Sequence, residues 1–129
     1  MPQLNVTVAV TAEQAADELR SLDRELTDID ELRGHVRPAH AEPRPGELGA
    51  LETALMVGLG QGGAATALAA VLIAWLRTRV GSVVVKLTKP DGAVLEVNAA
   101  QLRGLSAAEA LAFTGRLAAD LERESDPSR

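Results

Sequence analysis

The chain has 129 residues, 47% hydrophobic and 24% charged, with a formal net charge of −5, which fits one globular domain of ordinary composition. Only two aromatic residues, Trp75 and Phe113, are available for stacking, and the acidic balance opposes phosphate neutralisation, so nucleic acid is not expected as a partner. The absence of cysteine excludes a disulfide framework, a thiol nucleophile and Cys-ligated zinc.

Met1-Pro2-Gln3-Leu4-Asn5 lacks the basic start and apolar stretch of a signal peptide, so the expected location is the cytoplasm. Leu4, Val6, Val8 and Val10 then alternate with polar or small residues, the pattern of a half-buried strand. Thr11-Ala12-Glu13-Gln14 reads as a capping box. It opens a helix whose Ala15, Leu19, Leu22, Leu26 and Ile29 form one apolar stripe opposite an acidic face of Asp17, Glu18, Asp23, Glu25 and Asp28. Gly34 is the expected stop. His35 to His40 predicts a short strand, placed at a sheet edge or a bulge because Pro38 has no N–H for a ladder. Glu42-Pro43-Arg44-Pro45-Gly46 reads as a stiff, extended connector.

From Leu48 to Leu76 the only ionised group is Glu52. Leu48, Leu51, Leu55 and Leu59 follow a helical period, and Ala64 to Arg79 follows another that is apolar nearly all round. Between them, Gly58, Gly60, Gly62 and Gly63 make a continuous helix costly, at about 1 kcal/mol per glycine relative to alanine. The expectation is therefore a glycine-cornered pair of helices. Ser82 to Thr88 and Ala93 to Asn98 predict a hairpin closed by Lys89-Pro90-Asp91-Gly92, where proline fixes φ and glycine supplies a positive φ. Ser106-Ala107-Ala108-Glu109 is a second capping box, opening a helix with Leu111, Leu117 and Leu121 inward.

The expected order is β-α-β-α-α-β-β-α: an α+β domain over residues 1–121 followed by a polar, disordered tail over 122–129. It implies a mixed sheet of about four strands covered by helices, with a parallel crossover in the first β-α-β unit and the apolar helical pair at its centre.

No catalytic constellation emerges, and no catalytic, cofactor-binding or metal-binding residue is assigned. Gly58-Leu59-Gly60-Gln61-Gly62-Gly63 matches G-x-G-x-x-G in form. A dinucleotide loop needs a strand before it, however, and an acid about 20 residues on, where this chain reads Val83-Val84-Val85-Lys86-Leu87. His35 and His40 have no third ligand nearby. Two interaction surfaces are expected instead. Ala67, Ala70, Ala74 and Trp75 are candidates for self-association through an apolar helix face, making a homo-oligomer the expected state. Arg33, His35 and Arg37 are candidates for docking a partner at the edge strand. The alternative is a membrane-associating or pore-forming component using residues 53–76, which are long enough to cross a bilayer.

Pro43-Arg44-Pro45-Gly46-Glu47-Leu48-Gly49-Ala50-Leu51, Gly60-Gln61-Gly62-Gly63-Ala64, Ala74-Trp75-Leu76-Arg77-Thr78-Arg79 and the Thr88-Lys89-Pro90-Asp91-Gly92 hairpin resemble the effector-associated constant component family of bacterial conflict systems. The resemblance covers about residues 2 to 120. It implies a small non-catalytic α+β protein encoded beside variable effectors such as trypsin-like or caspase-like proteases, which it couples, scaffolds or regulates in immunity or programmed death. It carries over no catalytic residues.

Overall fold

The computed structural model of the protein describes residues 5–39, 54–60 and 63–122. The alternating N-terminal segment forms β1 (Asn5–Thr11), whose Val6, Val8 and Val10 are buried while Asn5 and Thr11 are exposed. Helix α1 (Ala15–Thr27) buries Leu19, Leu22 and Leu26, and the stripe continues beyond the helix to Leu32, which is fully buried. The first capping box does not form. Thr11 is spent in β1 opposite Val84, and α1 begins after Gln14 with no side-chain cap. β2 (Val36–Ala39) follows the turn that ends at Gly34.

The next element corrects the sequence expectation. Residues Ala54–Gly58 are a strand, β3, not the first arm of a helical pair. A short apolar run offers leucines at a helical spacing whether or not it is helical, and here pairing on both sides decides. Val57 and Leu55 are opposite Val6 and Val8 on one flank and opposite Val36 and Pro38 on the other. Leu48 and Leu51 lie outside the described residues, as does the connector at 42–46. Gly63 then turns the chain with φ +86, a conformation that penalises any side chain with a Cβ. Helix α2 (Ala64–Arg77) starts directly after it.

β4 (Val84–Thr88) and β5 (Val94–Asn98) form the expected hairpin. In its turn Gly92 has φ +91 and donates its N–H to the Lys89 carbonyl at 2.9 Å, while the Asp91 carboxylate accepts from the Ala93 N–H at 2.8 Å. Helix α3 (Ala99–Arg103) was not expected. The Asn98 side chain caps it by accepting from the Gln101 N–H, directly at the end of β5. Helix α4 (Ala107–Glu122) completes the fold, and residues 123–129 lie outside the described part.

The second capping box does form. Glu109 accepts from the Ser106 N–H at 2.8 Å, and Ser106 Oγ accepts from the Glu109 N–H at 3.1 Å. Hydrogen bonding from Ser106, its backbone N–H first and its side chain second, holds the Glu109 carboxyl below its ordinary pKa. Leu111 corrects the stripe drawn from sequence: it is 74% exposed, and Ala110, Leu117, Ala118 and Leu121 face inward. Leu111 is six residues from Leu117, about 240° around the helix at ~3.6 residues per turn, so the two point to different sides.

The strands pair in the order β2-β3-β1-β4-β5, a five-stranded sheet rather than four, with every neighbouring pair antiparallel. Since β3 is antiparallel to both β1 and β2, the latter two run parallel with β3 between them. The same reasoning makes β3 and β4 parallel with β1 between them. The expected crossover direction is therefore present, but each β-α-β unit skips one strand. β1-α1-β2-β3-α2-β4 is thus the ferredoxin-like split arrangement, and β5, α3 and α4 are added at one edge.

One continuous core joins the inner residues of the sheet to all the helices. α2 is the middle of the helical layer, packing on α1, α3 and α4. The other face of the sheet carries half-buried or exposed residues, among them Thr7, Met56, Lys86 and Glu96, as an antiparallel sheet with one solvated face does.

Candidate functional site

The Gly-rich corner at 58–63 has a strand before it and a helix after it, contrary to the helix expected from sequence. The surroundings still differ from a dinucleotide-binding unit. That unit places adjacent parallel strands around the loop, whereas β3 lies between two antiparallel neighbours. The ribose-binding acid is replaced by the hydrophobic start of β4.

The apolar span drawn at residues 53–76 is not one helix in the structure. Among its described residues, Ala54–Gly58 are β3 and Ala64 onward is the 14-residue α2, which is about 21 Å long against a hydrocarbon core of ~30 Å. Among the described residues no helix is long and apolar enough to cross a membrane.

The residues proposed for self-association separate into two groups. Ala70 and Ala74 are exposed and Ala67 is half-buried, so these three do lie along the outer side of α2. Trp75 does not join them. It is 4% exposed and sits at the joint between α1 and α2, where its indole N–H donates to Ser21 Oγ at 3.1 Å. Arg79 lies over the ring at 4.9 Å from its centroid and forms an ion pair of 2.9 Å with Glu18. Arg103 in turn donates to the Arg79 carbonyl at 2.6 Å. A buried amphipathic ring with its polar edge satisfied is a packing element. The sequence could not separate it from the alanines, because one apolar helix face extended all the way round.

The docking candidates are also divided. Arg33 belongs to the turn after α1 and pairs with Asp30 at 3.4 Å. Arg37 is exposed on β2, opposite Met56 on the uncovered face, and the His35 carbonyl accepts from the Gly58 N–H at 2.9 Å. His40 and Arg44 lie outside the described residues. Among those described, no group of three or more His, Asp or Glu is arranged to hold a metal.

A surface not anticipated from the sequence lies at the opposite edge. β5 is the last strand of the sheet, and α4 runs alongside without covering it. Between them is an open groove of ≈ 240 Å³ lined by Leu95, Val97, Phe113 and Leu117 together with the charged Glu96, Arg116 and Asp120. Lys89 fixes one end. It is itself 7% exposed, and its Nζ donates to the Asp120 carbonyl at 2.8 Å, clamping the hairpin turn to the last turn of α4. The Arg116 guanidinium lies 5.7 Å from the centroid of the Phe113 ring.

The backbone along β5 follows from its register. The Lys89 N–H donates to the Ala93 carbonyl and the Ala99 N–H to the Val83 carbonyl. Leu95 and Val97 therefore exchange bonds with β4, whereas Val94 and Glu96 turn their N–H and C=O groups away from the sheet. Two elements, β5 and α4, build this groove across the intervening α3, so no local sequence motif marks it.

Comparison with known proteins adds one relationship. The family model described as Effector Associated Constant Component 1 matches residues 11–118. No curated protein and no solved structure matches the chain.

Proposed function

The chain belongs to the Effector Associated Constant Component 1 family, and on that premise we propose that it is a non-catalytic adaptor that couples or regulates protease-type effectors in a bacterial conflict system. The observation that carries this reading is the family match across residues 11–118, which spans all the elements from the end of β1 into α4. It makes the chain an effector-associated component. The protease class of the effector, trypsin-like or caspase-like, comes from the resemblance of the sequence motifs.

In this reading the chain self-associates in the cytoplasm and thereby raises the effective concentration of attached effectors. The outer stripe of α2 supports the self-association. Ala67, Ala70 and Ala74 present small side chains without charge, which lets another backbone approach closely. Arg37 and His35 at the β2 edge remain the proposed effector contacts, joined by Arg33 from the preceding turn.

Co-expression of the chain with protease-type effectors encoded beside its gene, followed by affinity purification, tests the coupling: stable co-purification with at least one is expected. Capture of none of them would remove the adaptor reading. Light scattering during size-exclusion chromatography tests the assembly. An oligomer that Ala70→Glu converts to monomer is expected, and a strictly monomeric parent at high micromolar concentration would sink the self-association.

A further inference from the structure

We propose that the groove between β5 and α4 captures an extended peptide segment of a partner protein as a sixth strand, with an apolar side chain in the groove and a carboxylate on Arg116. The first support is the backbone. Among the described residues, Val94 and Glu96 present unpaired N–H and C=O groups along the outer side of β5, and an added strand satisfies such a row residue by residue. A small molecule has no corresponding repeat.

The second support is the size and lining of the groove. At ≈ 240 Å³ it is smaller than the ~300–1,000 Å³ of small-molecule pockets, and it suits single side chains. Leu95 and Val97 form its floor on the strand side, and Phe113 and Leu117 its wall on the helix side. In a strand laid on β5, alternate side chains point toward α4, so one apolar residue enters and the residues two positions away reach its rim.

Charge selects the flanking residue. Asp120 lies where the Lys89 ammonium binds its own backbone carbonyl, and Glu96 is directly across from Lys86. Arg116 is exposed and, among the described residues, contacts the Phe113 ring and no carboxylate. A guanidinium whose Cζ already sits over an aromatic ring keeps N–H donors for a carboxylate on its open side.

This inference rests on the adaptor reading for its biological partner, but its test uses the chain alone. Random peptides displayed on phage are selected on the purified full-length protein, and the enriched sequences are synthesised with a fluorophore and titrated by anisotropy. The expected winners share an apolar residue with Asp or Glu two positions away. Glu96→Pro removes an outward N–H without touching the β4 ladder and should weaken them at least about tenfold. Arg116→Glu, on the exposed side of α4, should invert the preference from acidic to basic peptides. Thermal melts establish that each variant is folded, and Arg116→Glu decides the matter if Glu96→Pro is not. Failure to enrich any peptide, or enriched peptides that bind both variants as tightly as the parent, overturns the proposal. Effector co-purification that survives both substitutions removes the groove and leaves the adaptor reading intact.

Discussion

The two edges of the sheet, β2 and β5, are opposite in chemistry. On β2 the register makes Arg37 face β3 with its backbone groups, while Val36 and Pro38 face away. The missing N–H of proline therefore falls on the outer side, where it interrupts strand addition. On β5 the outward residues are Val94 and Glu96, both with N–H groups intact. The flanking helices differ as well. α1 contacts both β2 and β3, whereas α4 stands off from β5 and leaves a groove. A sheet of this kind is protected from indiscriminate pairing at one end and receptive at the other.

This contrast is most severely stressed by undercutting the core beneath each edge. Leu26 of α1, the helix that contacts β2, and Leu121 of α4 are both fully buried, and substitution of either by alanine should cost about 2–5 kcal/mol. Hydrogen exchange should then show early opening of β2 with Leu26→Ala and of β5 with Leu121→Ala. Equal opening of both edges in each variant would mean that the edges are not independently supported. Lys89→Met comes next. It leaves the Asp120 carbonyl without its donor and should cost about 1–3 kcal/mol, measured by urea denaturation. The loss should be accompanied by faster exchange in the β4–β5 hairpin.

The cap of α4 gives a smaller effect. Ser106→Ala should cost about 1 kcal/mol, read from the denaturation midpoint. Glu109 makes the cap pH-dependent. Its folded pKa is lowered by Ser106, so its contribution is full above the unfolded value of about 4.3 and disappears as pH falls through the folded one. Thermal midpoints of the parent and Glu109→Gln should therefore differ at neutral pH and converge in acid. A constant difference would sink the assignment. Pro38→Val, the smallest perturbation of stability, should change it by less than about 1 kcal/mol. Its consequence should be association, detected by light scattering, because it restores a donor to the guarded edge.

The legibility of these features in the sequence follows the range of the interactions that produce them. β1, the hairpin turn at Lys89-Pro90-Asp91-Gly92 and the Ser106–Glu109 cap are specified by residues within a few positions of one another, and each was readable. The edge position of β2 was readable in part, because a proline narrows a strand to an edge or a bulge. β3 was not, since five residues of Ala-Leu-Met-Val-Gly have no local preference strong enough to oppose the helical spacing of neighbouring leucines. Its state is decided by β1 and β2, which are distant in sequence. α3 was hidden for a different reason, having only five residues and a cap supplied by the last residue of the preceding strand. Of the candidate sites, the alanine stripe was visible as a periodicity, but the burial of Trp75 depends on Ser21 and Arg79, 54 positions before it and four after.

That Trp75 is the sole tryptophan gives the molecule an intrinsic optical reporter at the joint of α1 and α2. A stacked cation and a hydroxyl acceptor on the indole N–H set its emission in the folded state. Separation of α1 from α2 removes the Ser21 acceptor and the Glu18 carboxylate that pairs with Arg79, and admits water. A shift of the emission to longer wavelength thus registers movement of α1, independently of events at β5. A ligand that bound the far groove should leave this fluorescence unchanged, whereas a partner that displaced the acidic helix would alter it.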